Sequence, residues 1–143
     1  MTQMTEVQAI EAFVTAGNAT FTLLSSKTGQ RFTFLVRKKE ESEVGPWFVS
    51  VLTGPNNSED FEFLGTIFSP DAFRHGKKSR VSTDAPSAKA FAWFWGQLAK
   101  SVLPSVCSFY HEGRCGRCGR KLTTPESVQR GLGPVCASMY DAA

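Results

Sequence analysis

Cys107, Cys115, Cys118 and Cys136 are the only cysteines of the chain, and all lie in its last 37 residues. The segment Cys115-Gly116-Arg117-Cys118-Gly119 is a C-x-x-C with glycine inside it and directly after it. Two thiolates spaced this way can point at one cation if the backbone turns tightly, and Gly116 and Gly119 permit that turn. Farther on, Gly133-Pro134-Val135-Cys136 reads as the start of a last short helix, with Cys136 in its first turn, where the helix dipole favours a thiolate. A knuckle followed by a cysteine at a helix N-terminus is the layout of a treble-clef-like zinc module. Three thiolates leave one tetrahedral position open. His111 is the first candidate for it, and Cys107, four residues earlier on the same strand face, is the second. The competing reading of Cys107 is a buried, inert strand residue, and His75 reads as a surface histidine. One structural Zn2+ is therefore expected on His111, Cys115, Cys118 and Cys136.

Other uses of the cluster fit less well. A redox C-x-x-C sits between a strand and a helix, with few flanking glycines and no need of a third cysteine. A catalytic zinc would keep a water position beside a carboxylate such as Glu112 or Glu126, and that reading returns if neither His111 nor Cys107 binds. No paired carboxylates, Ser/His/Asp set, phosphate loop or dinucleotide fingerprint stands out, so no enzyme is expected.

Upstream elements must position this tail. Val7, Ile10, Phe13 and Val14 recur at helical spacing within residues 5–16, and Gly17-Asn18 supplies a stop. The period then changes to two. Residues 19–25 and 31–37 form one expected hairpin; residues 46–53 and 61–68, around Gly54-Pro55-Asn56-Asn57, form another. Residues 38–43 read as a charged, solvated loop and residues 69–86 as a polar, basic one. Over Ser87–Leu103 a helix is expected, with Ala88, Phe91, Phe94, Trp95, Leu98, Ala99 and Val102 on one apolar arc covering the sheet. Pro104 ends it, and residues 106–111 read as a fifth strand. Thr123-Thr124-Pro125-Glu126 begins a short helix that Gly131 stops.

The fold class expected is α+β: an antiparallel β-meander of four or five strands, one long packed helix, and a C-terminal treble-clef-like or zinc-ribbon module. Residues 1–105 form the body and residues 106–143 the zinc module. Phe48, Leu52, Leu64 and Phe68 are expected on the sheet's second face, covered by the N-terminal helix or another chain.

The 143 residues include 41% hydrophobic and 20% charged residues, a composition that excludes disorder throughout. No apolar run approaches a membrane span, and the N-terminus has no signal-peptide pattern, so a soluble, cytoplasmic protein is expected. The net charge of +3 is unevenly spread: residues 1–71 carry five basic and nine acidic side chains, residues 72–143 eleven and four. Arg114, Arg117, Arg120, Lys121 and Arg130 decorate the knuckle, and Lys77, Lys78 and Arg80 form a second cluster. Lys89, Trp93 and Lys100 share a helix stripe with Gly96, opposite the apolar arc. An exposed Trp between lysines could stack a base, unless the N-terminal helix or the zinc module covers Trp93.

The stretch His111–Ala137 resembles the tail of an uncharacterised family of small phage and prophage proteins, whose shared form is C-x-R-C-G-R-x-L-T-x-P-x-S-x-x-x-G-x-G-P-x-C. Residues 46–66 and 77–95 look similar to that family too. The resemblance implies a phage-type context, a host-cell cytoplasmic setting and a zinc-ribbon-like tail with His111 as the additional ligand; it implies no reaction. Two functions follow as expectations: a zinc-binding accessory protein that grips nucleic acid through its basic C-terminal half, or a phage inhibitor or adaptor that docks on a host protein such as a defence complex or nucleic-acid enzyme.

Overall fold

In the computed structural model, residues 2–38, 46–55, 60–69 and 72–133 are described. In chain order the elements are β1 (Thr2–Met4), α1 (Val7–Val14), β2 (Asn18–Ser25), β3 (Arg31–Lys38), β4 (Trp47–Leu52), β5 (Phe61–Ser69), β6 (Ala72–His75), α2 (Pro86–Ala99), β7 (Cys107–His111) and α3 (Pro125–Arg130). All seven described strands join one antiparallel sheet in the order β1-β7-β2-β3-β4-β5-β6. The class is α+β, as expected.

The strand alternation decides which face is buried. Ala19, Phe21 and Leu23 of β2, Phe34 and Val36 of β3, Trp47, Val49 and Val51 of β4, and Phe109 of β7 are all buried. Register places them side by side, with Phe21 opposite Phe34 and Leu23 opposite Phe109. Onto this face α2 lowers Ala88, Phe91, Phe94, Trp95 and Leu98. The Phe91 ring packs against Phe21, Phe34, Phe73 and Trp95. The N-terminal helix α1 lies on the same face: Phe13 meets Phe109 edge-on at 6.0 Å, and Trp47 Nε1–H donates to the Thr15 carbonyl at 3.0 Å. The expectation that this helix covers the second face is thus corrected.

Further corrections have local causes. The sheet has seven strands rather than four or five, because Thr2–Met4 pairs with β7 and Ala72–His75, inside the expected loop, pairs with β5. Leu64 is buried on the helix side, because a bulge between Val49 and Ser50 shifts the register against β5 and turns it inward. Helix α2 stops at Ala99, short of Leu103. Ser101 adopts φ 60°, and the N–H groups of Ser101 and Val102 donate to the Leu98 and Gln97 carbonyls, a Schellman ending. Val102, expected on the apolar arc, is consequently exposed. The charged loop falls almost wholly outside the described residues, as do Asn56, Asn57, Pro134 and Cys136.

Candidate functional site

β7 carries the chain into the tail. It lies between β1 and β2, so the strand assigned to the start of the zinc module is a strand of the body's sheet. Phe109 and His111 share its buried side, as strict alternation requires, and both are fully buried.

The knuckle is a tight hairpin. Arg114 and Lys121 form an isolated bridge, Cys115 N–H donates to the Arg120 carbonyl at 2.8 Å, and Leu122 N–H donates to the Gly113 carbonyl at 2.8 Å. Gly119 N–H closes the turn onto the Cys115 carbonyl at 2.9 Å, with Gly119 itself at φ +76°. The hairpin is clamped on both sides: Asn18 N–H donates to the Gly116 carbonyl at 2.7 Å, and Gly116 N–H donates to the Gly131 carbonyl at 2.8 Å. Gly116 has to be glycine, since a Cβ there would lie 2.6 Å from the Phe13 ring.

Within this turn Cys115 is buried and Cys118 exposed. Arg117 N–H points at the Cys115 sulfur, 3.4 Å away. Burial alone would raise this thiol, but backbone N–H groups of Cys118, Gly133 and Arg117, with the Cys118 side chain, hold it at about 7. Amide N–H groups converging on a thiolate are the donor set a metal knuckle needs, so Cys115 and Cys118 fit a thiolate-bound zinc. Gly133, one of those donors, stands three residues before Cys136 in the sequence. Among the described residues no three His, Cys, Asp or Glu side chains gather closely enough to hold a metal ion; Cys136 lies outside them.

His111 has a structural role that its sequence position did not reveal. Gly113 N–H donates to Nδ1 at 2.9 Å, so the proton of the neutral ring sits on Nε2, which donates to the Val128 carbonyl. The ring also packs on Phe13 at 5.6 Å. Burial pushes its pKa down, the Val128 carbonyl opposing this in part. His111 thereby ties β7, the knuckle and α3 together, and binding a cation through either nitrogen would replace one of these two bonds. Cys107 sits at the far end of β7, about 13 Å along the strand from His111. It packs against the body core, and burial raises its thiol to about 11. This is the environment of an inert strand cysteine. His75 is held by the Val81 carbonyl at 2.8 Å.

Helix α3 begins and ends where its residues demand. Thr124 caps it by accepting from Ser127 N–H at 3.3 Å, Pro125 is its first residue, and Gly131 closes it at φ +72°. Val128 of α3 and Ala16 pack with Cys115, Leu122 and Leu132 in a small second core.

The basic candidates fall into separate groups. Arg114, Arg117, Arg120 and Lys121 are exposed on the knuckle, whereas Arg130 is half-buried and lines a cleft with Glu6 and Glu11. Lys77, Lys78 and Arg80 are exposed on a turn held to the sheet by the Ser79 hydroxyl, which donates to the Phe63 carbonyl at 2.7 Å. On α2 Lys89 and Trp93 are exposed, as is Lys100 at its C-cap, and Trp93 stands 46% open to solvent; neither α1 nor the described part of the tail covers it. That stripe faces away from the sheet.

A family model described as a family of unknown function (DUF6011) matches residues 108–140, the tail alone. No curated protein and no solved structure matches the chain. Among the described residues, no helix is long and apolar enough to cross a membrane.

Proposed function

We propose that the chain is a small zinc-binding accessory protein of phage type that holds nucleic acid through its basic C-terminal half and performs no chemistry on it. The observation that carries this reading is the Cys115 environment. Three backbone N–H groups converge on one sulfur in a glycine-built turn, while the arginines of that turn stand exposed. Such a turn spends its inward directions on a cation and presents Arg114, Arg117, Arg120 and Lys121 on its exposed side, where phosphates can approach. Cys115, Cys118 and Cys136 supply three ligands, and His111 the fourth if it exchanges a backbone bond for the metal. Zinc would fix the turn and thereby the spacing of the guanidinium groups. The basic turn at Lys77–Arg80 provides a second phosphate contact.

The test is metal content of protein purified without chelator, combined with the 260/280 nm absorbance ratio before and after a high-salt wash. One zinc per chain, with nucleic acid that leaves in salt, supports the reading. Zinc without nucleic acid transfers the function to a host protein partner. Metal-free protein defeats the zinc assignment.

A further inference from the structure

The three described helices lie on one side of the sheet, and the other side carries a distinctive set of side chains. Cross-strand partners share a face, so the register defines it row by row. One row runs Asn18, Arg37, Phe48, Thr66, Arg74 across five strands. The next runs Thr20, Leu35, Ser50, Phe63, and a third begins Tyr110, Thr22, Thr33. Arg31, Arg37 and Arg74 are exposed on it, and none is ion-paired with a described residue. No Asp or Glu occupies a described strand position on this face. Phe48 and Phe63, half-exposed, meet edge-on at 6.2 Å, and Phe68 is 55% exposed.

Both basic clusters abut this face. At one side, the knuckle's Gly119 lies against the Asn18 amide, where the first row begins. At the other, the Phe63 ring lies over Gly76, immediately before Lys77, and Ser79 anchors the basic turn to the Phe63 carbonyl. The row of Arg37, Phe48 and Arg74 therefore bridges the knuckle arginines and the Lys77–Arg80 turn.

We infer that this open sheet face is a binding track for single-stranded nucleic acid, with bases stacked on Phe48, Phe63 and Tyr110 and the phosphate backbone followed by Arg37 and Arg74. The inference rests on the nucleic-acid reading above and adds a site and a strandedness to it. Flat aromatic side chains at half exposure offer π-faces to any unpaired base, which a duplex keeps stacked inside. Arginines with no carboxylate beside them on the described strand positions of this face favour a polyanion. They also disfavour a second copy of this chain on the same face, which would bring six guanidinium groups together with no carboxylate from a described strand position among them.

The experiment is fluorescence anisotropy of the full chain with a labelled oligodeoxythymidine, competed by unlabelled single strand or duplex. Exposed Arg37→Gln with Arg74→Gln should weaken binding at least tenfold and reduce the log–log salt slope by roughly 1.4. Phe48→Leu should weaken it about tenfold with the slope unchanged, and thermal melts establish that each variant folds. Duplex should compete poorly. If the face variants bind like the parent while Arg114→Gln with Arg120→Gln loses binding, or if duplex competes as well as single strand, the track is wrong and the knuckle reading survives. A dimer in light scattering that Phe48→Leu dissolves also overturns the track, giving the face to a second copy. Absence of binding to either form overturns the nucleic-acid reading itself.

Discussion

Twenty of the described residues form the body's core, with phenylalanine and tryptophan rings at its centre, whereas the described part of the tail contributes Cys115, Leu122 and Leu132, with Ala16 and Val128 against them. Apolar burial at roughly 25 cal/mol per Å2 is the main source of order in the first region and is small among the described residues of the second. The tail is instead held by directional bonds: the His111 ring, the Gly116 clamp and the N–H groups around Cys115. Two regions joined by one strand thus obtain order from different physics. A region ordered by few directional contacts is where a metal contributes most.

The sharpest way to separate them is to remove a proposed zinc ligand. Cys115→Ser is expected to abolish zinc content and open the tail to trypsin at Arg114, Arg117 and Arg120, while the body retains a cooperative melt. Structural zinc contributes an apparent ~10–16 kcal/mol in small modules, so this effect should exceed all others. A variant that keeps its metal and its protease resistance would erase the distinction between the regions. The body's counterpart is Phe91→Ala, which empties the space among Phe21, Phe34, Phe73 and Trp95. It should lower unfolding free energy by about 3–5 kcal/mol in denaturant titration, with zinc stoichiometry unchanged.

Gly131→Ala probes the seam. Its φ of +72° disfavours a side chain, and a Cβ would lie 2.5 Å from the Phe13 ring of the body. A loss of about 1–3 kcal/mol is expected in the same titration, together with weaker zinc retention against a chelator. The smallest effect is a drift with pH. The folded-state pKa of His111 is depressed by burial, so the unfolded chain binds its proton more readily. Its contribution is fully present above the unfolded value of about 6.5 and is lost as pH falls through the lower folded value. Urea midpoints of the metal-free protein should decline over that window, and His111→Phe should flatten the decline.

Much of this was legible because the residues obey simple periods. The meander from β2 to β5, the apolar arc of α2 and the Thr124–Gly131 helix follow from alternation, helical spacing and caps. What escaped has physical causes. Three residues of β1 show no period, and β6 turns inward only Phe73 and His75. The phase of Leu64 depends on a bulge, and the end of α2 on a left-handed Ser101, a conformation few non-glycine residues adopt. At the candidate site the C-x-x-C turn and its glycines were readable. The bonding of His111 was not, because both partners, Gly113 and Val128, offer backbone groups that any residue carries.

The position of β7 has a consequence for how the chain is made. It is the last of the described strands to be synthesised, yet it sits between β1 and β2, which lie among the first 25 residues. Until residue 107 has left the ribosome, the nascent sheet lacks the strand that joins β1 to the rest, and Met4 and Leu23 have no Phe109 between them. Closure across so long a stretch of sequence is slow and exposes apolar surface meanwhile. A ribosome stalled before β7 emerges should therefore display a chaperone-binding intermediate, and one stalled after the tail should not.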